Sequence, residues 1–140
     1  MSMIDDPMIA ALGRFLDVNV ARLRLIDANL ANVDTPGFQA RDLDFRAELG
    51  RAARQAVEGD EAGRLSYASS FSSSTSSLPY TPVARPVRGL LQRPDGNNVS
   101  VERESLLLAE TQMKYSLGVQ LLKDEFHGIS QAINSGGTSS

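Results

Sequence analysis

The sequence predicts a mainly α protein, with long amphipathic helices at its N and C termini forming a coiled-coil-like pair around an irregular, short-β and partly flexible middle. Three observations predict it. Apolar residues recur every three or four positions near both termini. Between them, a Ser-rich run and four closely spaced prolines break any such period. Aromatic residues make up only 6% of the 140 residues and Trp is absent, so the side chains that usually dominate a compact core are scarce.

The N-terminal helix is expected from about Asp6 to about Asn32. Asp6 suits the N-cap, and Pro7 fits the first turn, where its missing N–H costs nothing. Ile9, Leu12, Leu16, Val20, Leu23, Ile26, Leu30 and Val33 then form one stripe with a mean step of ~3.4 residues, close to the coiled-coil period. Pro36 stops the helix, because it disfavours helical geometry at Thr35 and cannot donate to the ladder. Pro36-Gly37 matches the central pair of a type II turn.

The middle is less regular. Leu43 and Phe45 alternate with Asp42, Asp44 and Arg46, as in a short extended piece. Asp44 equally suits the cap of a small helix holding Leu49, Ala52, Ala53, Ala56 and Val57. From Glu58 to Ser77 there is little to bury, and the serine run 69–77 is expected to be a mobile loop. Pro79, Pro82, Pro86 and Pro94 follow, in a stretch that also holds Arg85, Arg88 and Arg93 without an acid. A short strand is expected over Val87–Gln92, before a turn at Pro94-Asp95-Gly96.

Ser100 is the expected N-cap of the C-terminal helix, with Glu102 and Glu104 in its first turn, favourable to the helix dipole. Leu108, Gln112, Tyr115, Val119, Leu122, Phe126, Ile129 and Ile133 recur at ~3.6 residues per step. The helix is expected to fray near Asn134. The chain thus divides into an N-terminal helix (1–35), a middle segment (36–98) and a C-terminal helix (99–140). An antiparallel pair would bury part of both stripes through Leu12, Leu16, Leu23, Ile26, Leu30, Leu108, Tyr115, Leu122, Phe126 and Ile129. It would leave Leu25, Leu106, Leu107, Met113, Leu117 and Leu121 outside the seam, which predicts a chain that completes its core against neighbours.

Composition excludes much chemistry. With no Cys there is no disulfide framework, thiolate zinc site, iron–sulfur cluster or cysteine nucleophile. The single His127 cannot build a multi-histidine metal site, and no phosphate-cradling glycine loop or GxSxG context occurs. Glu102 and Glu104 at i and i+2 point to different faces, a poor arrangement for shared acid–base work. No catalytic residue, cofactor or metal is therefore expected, and the protein is read as a non-enzyme. A net charge of -3 gives no general attraction to nucleic acid. Two acids near the start and the interrupted apolar runs predict neither a cleaved secretory signal nor a membrane span.

Ala28-Asn29-Leu30-Ala31-Asn32-Val33-Asp34-Thr35-Pro36-Gly37-Phe38, closing an amphipathic N-terminal helix, resembles the signature of the flagellar rod, hook and related axial proteins. Gln39–Phe45, and Arg93-Pro94-Asp95-Gly96-Asn97-Asn98-Val99 running into Glu102-Arg103-Glu104, resemble the proximal-rod members of that family. Ser100 stands where an acidic cap is common in the family, and Thr111 where Asn is frequent. The motif residues carried over are Asn29, Asn32, Thr35, Pro36, Gly37, Phe38, Asp95, Gly96, Asn97 and Asn98. By themselves, the residues leave Asn29 either solvated or bonded across helices, Asn32 as a helix terminator, and Asp95–Asn98 as a turn.

The resemblance implies a structural subunit of the bacterial flagellar basal body, exported by the flagellar type III apparatus and assembled helically through its terminal helices. Its implied partners are copies of itself, other rod subunits, the adaptor FliE, the MS ring and the export gate. The implied place is the periplasmic rod, and the implied role is to join the export gate region to the rod for torque transmission and motility. Another rod or rod-adaptor subunit, or a cytosolic helical export chaperone, are the alternative readings. The Thr35-Pro36-Gly37 turn argues against the chaperone, which has no need of it.

Overall fold

The computed structural model describes residues 7–54 and 81–136. Asp6, the serine run and the last four residues lie outside them. Three helices and two short strands follow in order: α1 Pro7–Ala31, β1 Arg41–Asp42, α2 over 45–54, β2 Arg85–Pro86 and α3 Val101–Gly136.

Helices α1 and α3 pack antiparallel. Asn29, near the end of α1, bonds Glu104 near the start of α3, while Phe15 and Leu16 of α1 meet Gly118 midway along α3. The buried positions of α3 are Glu104, Thr111 and Gly118. They fall at the coiled-coil interval of seven. They are nevertheless polar or small. Thr111 is satisfied within its own helix, its Oγ1 donating to the Leu107 carbonyl at 2.6 Å. At Gly118 an added Cβ would lie 2.8 Å from Leu16 Cδ2 and 2.9 Å from Phe15 Cδ1, so the helices approach more closely there than a side chain permits.

Of the two sequence readings for the middle, the Asp44-capped helix forms, with Ala56 and Val57 outside the described residues, while the extended piece is confined to Arg41–Asp42 and Phe45 already belongs to the helix. Arg41–Asp42 pairs antiparallel with Arg85–Pro86, Arg41 opposite Pro86 and Asp42 opposite Arg85. Asp44 then caps α2, its Oδ1 accepting from Ala47 N at 3.1 Å and its carbonyl from Glu48 N at 2.8 Å. Helix α2 covers a second face of α1. Val18, Leu43 and Ala52 form the buried cluster, with Ala21, Leu25 and Phe45 packed on it. Phe45 meets Phe15 edge-to-face with centroids 5.7 Å apart, a geometry worth about 0.5–1.5 kcal/mol beyond area burial. Leu25, expected outside the seam, is therefore half-buried, because the middle supplies more core than its composition suggested.

The expected strand over Val87–Gln92 does not form. Pairing runs over Arg85–Pro86, extends to one bond from Val87 N to the Ala40 carbonyl, and ends before Gly89, whose φ of 78° turns the chain away. The Ser100 cap is present: its carbonyl accepts from Glu104 N at 3.0 Å and its Oγ from Arg103 N at 3.3 Å. The Glu102 carboxyl is held below its ordinary range by its own backbone N–H and by the Ser100 hydroxyl.

Two glycines of α3 should respond oppositely to substitution. Gly128→Ala meets nothing within 4 Å and should stabilise the chain by up to about 1 kcal/mol through helix propensity. Gly118→Val should destabilise it by about 1–3 kcal/mol through overpacking against Phe15 and Leu16. Urea denaturation followed by helical circular dichroism checks both signs.

Candidate functional site

Two turns, far apart in sequence, are stacked on each other at the end of the helix pair. Phe38 N donates to the Thr35 carbonyl at 3.2 Å, closing a turn with Pro36 and Gly37 at its centre and Gly37 at φ 74°, as a type II turn requires. Gly96 N donates to the Arg93 carbonyl at 2.9 Å and closes the second turn. Gly37 N reaches the Asp95 carbonyl at 2.8 Å. A Cβ on Gly96, itself at φ 85°, would sit 3.3 Å from Gly37 Cα. Both positions favour glycine for their positive φ, and Gly96 needs it also for the close approach of the two backbones, a Cβ on Gly37 meeting nothing within 4 Å.

Two buried asparagines fasten these turns. Asn97 donates from Nδ2 to the carbonyls of Asn32 and Thr35, both at 2.9 Å, and its Oδ1 accepts from Val99 N at 2.8 Å. It thereby adds a second donor to two carbonyls just beyond α1 that already accept from Thr35 N and Phe38 N. Asn98 accepts from Ala40 N at 2.6 Å and donates to Gln39 Oε1 at 2.9 Å. Asn32 folds back to the Ala28 carbonyl at 2.8 Å and accepts from Thr35 Oγ1 at 3.1 Å. Arg93 adds a short bond from its guanidinium to the Val33 carbonyl.

Beside this clasp lies a set of buried charges. Asn29, 1% exposed, pairs with both sides of one peptide unit: Oδ1 accepts from Arg41 N at 3.0 Å, and Nδ2 donates to the Arg41 carbonyl at 2.8 Å. The same Nδ2 donates to Glu104 Oε2 at 3.0 Å. Glu104 is fully buried, and its other oxygen accepts from Arg103 Nη1 at 2.6 Å. Arg103 Nη2 continues to Asp42 Oδ2 at 3.2 Å. Asp42 also receives a two-pronged contact from Arg22, Nε to Oδ1 and Nη2 to Oδ2, both at 3.1 Å, and the Leu43 N–H at 2.8 Å. Two cations and two anions thus balance inside the fold, the geometry in which an Arg–carboxylate pair is strongest.

The outer edge of this network is Glu110, 3.9 Å from Arg22 and 2.5 Å from Lys114 Nζ. Lys114 in turn lies 4.8 Å from the Phe45 ring centroid, over its face. The Glu110 carboxyl is held below its ordinary range first by the Lys114 hydrogen bond, burial opposing and the charges of Lys114 and Arg22 assisting. Its pairing therefore contributes above the ordinary carboxylate range and is lost as pH falls through the lowered value.

All ten motif residues named from the sequence gather in this region, from Asn29 at its inner edge to Asp95 on the surface. The helix residues spread further. Leu12 and Ile26 are buried; Leu16, Leu23, Leu30, Leu108, Leu122 and Ile129 are half-buried; Tyr115 and Phe126 are exposed within the chain. His127 is exposed on α3. Arg22, Asp42 and Glu104 were not singled out together by the sequence. The signal for Glu104 was its place seven residues before Thr111 and fourteen before Gly118, a seam that hydrophobicity does not mark.

The hydrogen bonds of this site end on the chain's own backbone or on neighbouring side chains. They define a helical protein whose two terminal helices are fastened together at one end. No protein-family model matches the chain. Curated relatives do, among them three that carry the name flagellar basal body rod protein FlgB. The protein from Salmonella typhimurium is 32% identical over 127 residues, covering 86% of this chain and 88% of the relative. That from Yersinia enterocolitica is 33% identical over 129 residues, covering 86% and 89%. That from Borrelia hermsii is 34% identical over 127 residues, covering 86% and 90%. The chain belongs to the FlgB family of flagellar basal-body rod proteins.

Removing single members of the clasp should destabilise the chain. Glu104→Ala removes one acceptor each from Arg103, which keeps Asp42, and from Asn29, which keeps the Arg41 carbonyl, and should cost about 1–3 kcal/mol. Asn97→Ala removes the second donor from the Asn32 and Thr35 carbonyls, which keep Thr35 N and Phe38 N, and strands the Val99 N–H, at about 1–3 kcal/mol. Hydrogen exchange should show the Gly37 and Val99 amides losing protection in Asn97→Ala while the centre of α3 keeps it.

Proposed function

We propose that the chain is a structural subunit of the flagellar rod that acts by assembly and carries out no chemistry. The observation that supports this most is the division of labour on its helices. Polar and small residues fasten α1 to α3, while large apolar side chains on α3, Tyr115, Phe126 and Ile133 among them, stay uncovered within the chain. A helix whose apolar residues face outward is suited to packing against further subunits.

In this reading the subunit reaches the periplasmic rod through the flagellar type III apparatus, without a cleaved signal. Among the described residues no helix is long and apolar enough to cross a membrane. Its terminal helices pack with those of neighbouring copies and other rod subunits, near the adaptor FliE, the MS ring and the export gate. There it links that region to the rod and transmits torque. The 1–35 and 99–140 helices are the packing units of the assembly, and the segment between them carries the turns that aim the chain.

Phe126→Asp and Leu23→Asp test it. Phe126 is 55% exposed, so Phe126→Asp should leave the isolated chain folded and its cellular level unchanged. Both variants should be lost from purified basal bodies, with motility abolished, because a charge would enter a buried subunit contact. Normal incorporation of Phe126→Asp, or a wild-type protein found in the cytosol and absent from basal bodies, would overturn the reading.

A further inference from the structure

A second apolar face of α3 points away from the clasp. Leu106, Glu110, Met113, Leu117, Leu121 and Asp124 fall within an arc of about 80° at 3.6 residues per turn. Glu104, Thr111 and Gly118, the buried seam, are centred about 120° away around the helix. Leu106 and Met113 are 70% and 75% exposed, and Leu117 and Leu121 are exposed with them. Glu110 and Asp124 lie seven residues to either side of Leu117; Glu110 is already paired with Lys114 and Arg22, whereas Asp124 is exposed and accepts from Gln120 Nε2 at 3.0 Å.

The loop after β2 is its complement. Gly89, at φ 78°, turns the chain, and Leu91 beyond it is 93% exposed. Arg88 stands three residues before it and Arg93 two after, and residues 81–94 hold no acid. Arg85 and Arg88 are exposed, whereas Arg93 is partly engaged by the Val33 carbonyl and lies 3.8 Å from Asp95. A lone exposed leucine needs no explanation, but one flanked by arginines and matched by an apolar stripe flanked by acids does.

We infer that Leu91 of one copy inserts among Met113, Leu117 and Leu121 on α3 of a second copy, with Arg88 pairing with Asp124. The contact cannot close within one chain. The Leu91 loop is tied to the Glu104 end of the helix pair, and Leu117 lies thirteen residues further along α3, about 20 Å at 1.5 Å per residue. Two different surfaces meet, so the interface is head-to-tail, and a contact of this type continues into a ring or an open helix instead of stopping at a dimer. The apolar anchor supplies adhesion, and the arginine–carboxylate pair fixes the register along the stripe. The inference rests on the assembly proposed above and names which surfaces of two copies touch.

The absence of Cys makes the test clean. A chain carrying Leu91→Cys and Leu117→Cys, both at exposed positions, is expressed in place of the natural one, and its purified basal bodies are oxidised. A disulfide requires the two Cα atoms to approach within about 7 Å. The expected result is a ladder of covalent multimers of this chain, absent from either single variant. Arg88→Glu should weaken the ladder several-fold, and Asp124→Arg added to it should restore the ladder. Incorporation without a ladder, equal cross-linking of a single variant, or a cross-link to a different protein would overturn the inference and leave the assembly reading standing. Absence of the unsubstituted protein from basal bodies would overturn both.

Discussion

The fold turns on one buried carboxylate. Glu104 has no exposed surface, so its charge requires donors supplied by the protein itself. Asn29 on α1 and Arg103 on α3 supply them, and each carries the constraint outward. Asn29 can reach Glu104 only while holding the Arg41 peptide unit, which places β1. Arg103 reaches it while holding Asp42, which in turn holds Arg22. The two terminal helices and the first strand are thereby fixed in one register. A purely apolar seam would have bound them with less discrimination among alternative alignments.

The helices themselves were legible in the sequence: their spacing, the stop at Pro36, the caps at Asp44 and Ser100, and the glycine turns all follow from local rules that the tertiary structure does not override. The face each helix turns inward was less so. Periodicity counts hydrophobic side chains, and the α3 seam of Glu104, Thr111 and Gly118 contains none of them. On α1 the buried Asn19 and Asn29, and Arg22 beside them, lay off the apolar stripe. The strand expected over 87–92 failed for a local reason, the left-handed Gly89. The motif residues could be named from the sequence, but their pairing could not, because Asn32 and Asn97 meet across sixty-five residues.

This distribution gives the family motif a physical meaning. Its asparagines substitute side-chain amides for missing secondary structure. Asn97 adds a second donor to two carbonyls just beyond α1, Asn98 serves the Ala40 N–H beside β1, and Asn29 mimics a strand partner for Arg41. An Asn amide offers donor and acceptor in one plane, which neither Ser nor Asp does. Gly96 leaves out the side chain that would press the two turns apart, and Gly37 supplies the positive φ its turn requires. The polar clasp and the exposed apolar faces are then two halves of one arrangement: the inward contacts are directional and satisfied, which leaves the large hydrophobic residues available for the outside.

Gly118 has a mechanical consequence of its own. It stands close to the midpoint of α3, whose 36 residues span about 54 Å, and it marks where α1 comes nearest. The helix can therefore be treated as a beam resting on a fulcrum at its centre, clamped at one end by Glu104. Tilting it by about 5° at that point would swing the unclamped tip by about 2 Å, half the diameter of a methyl group or more. A methyl-sized change at one small residue is thus magnified at the far tip of α3, about 27 Å away.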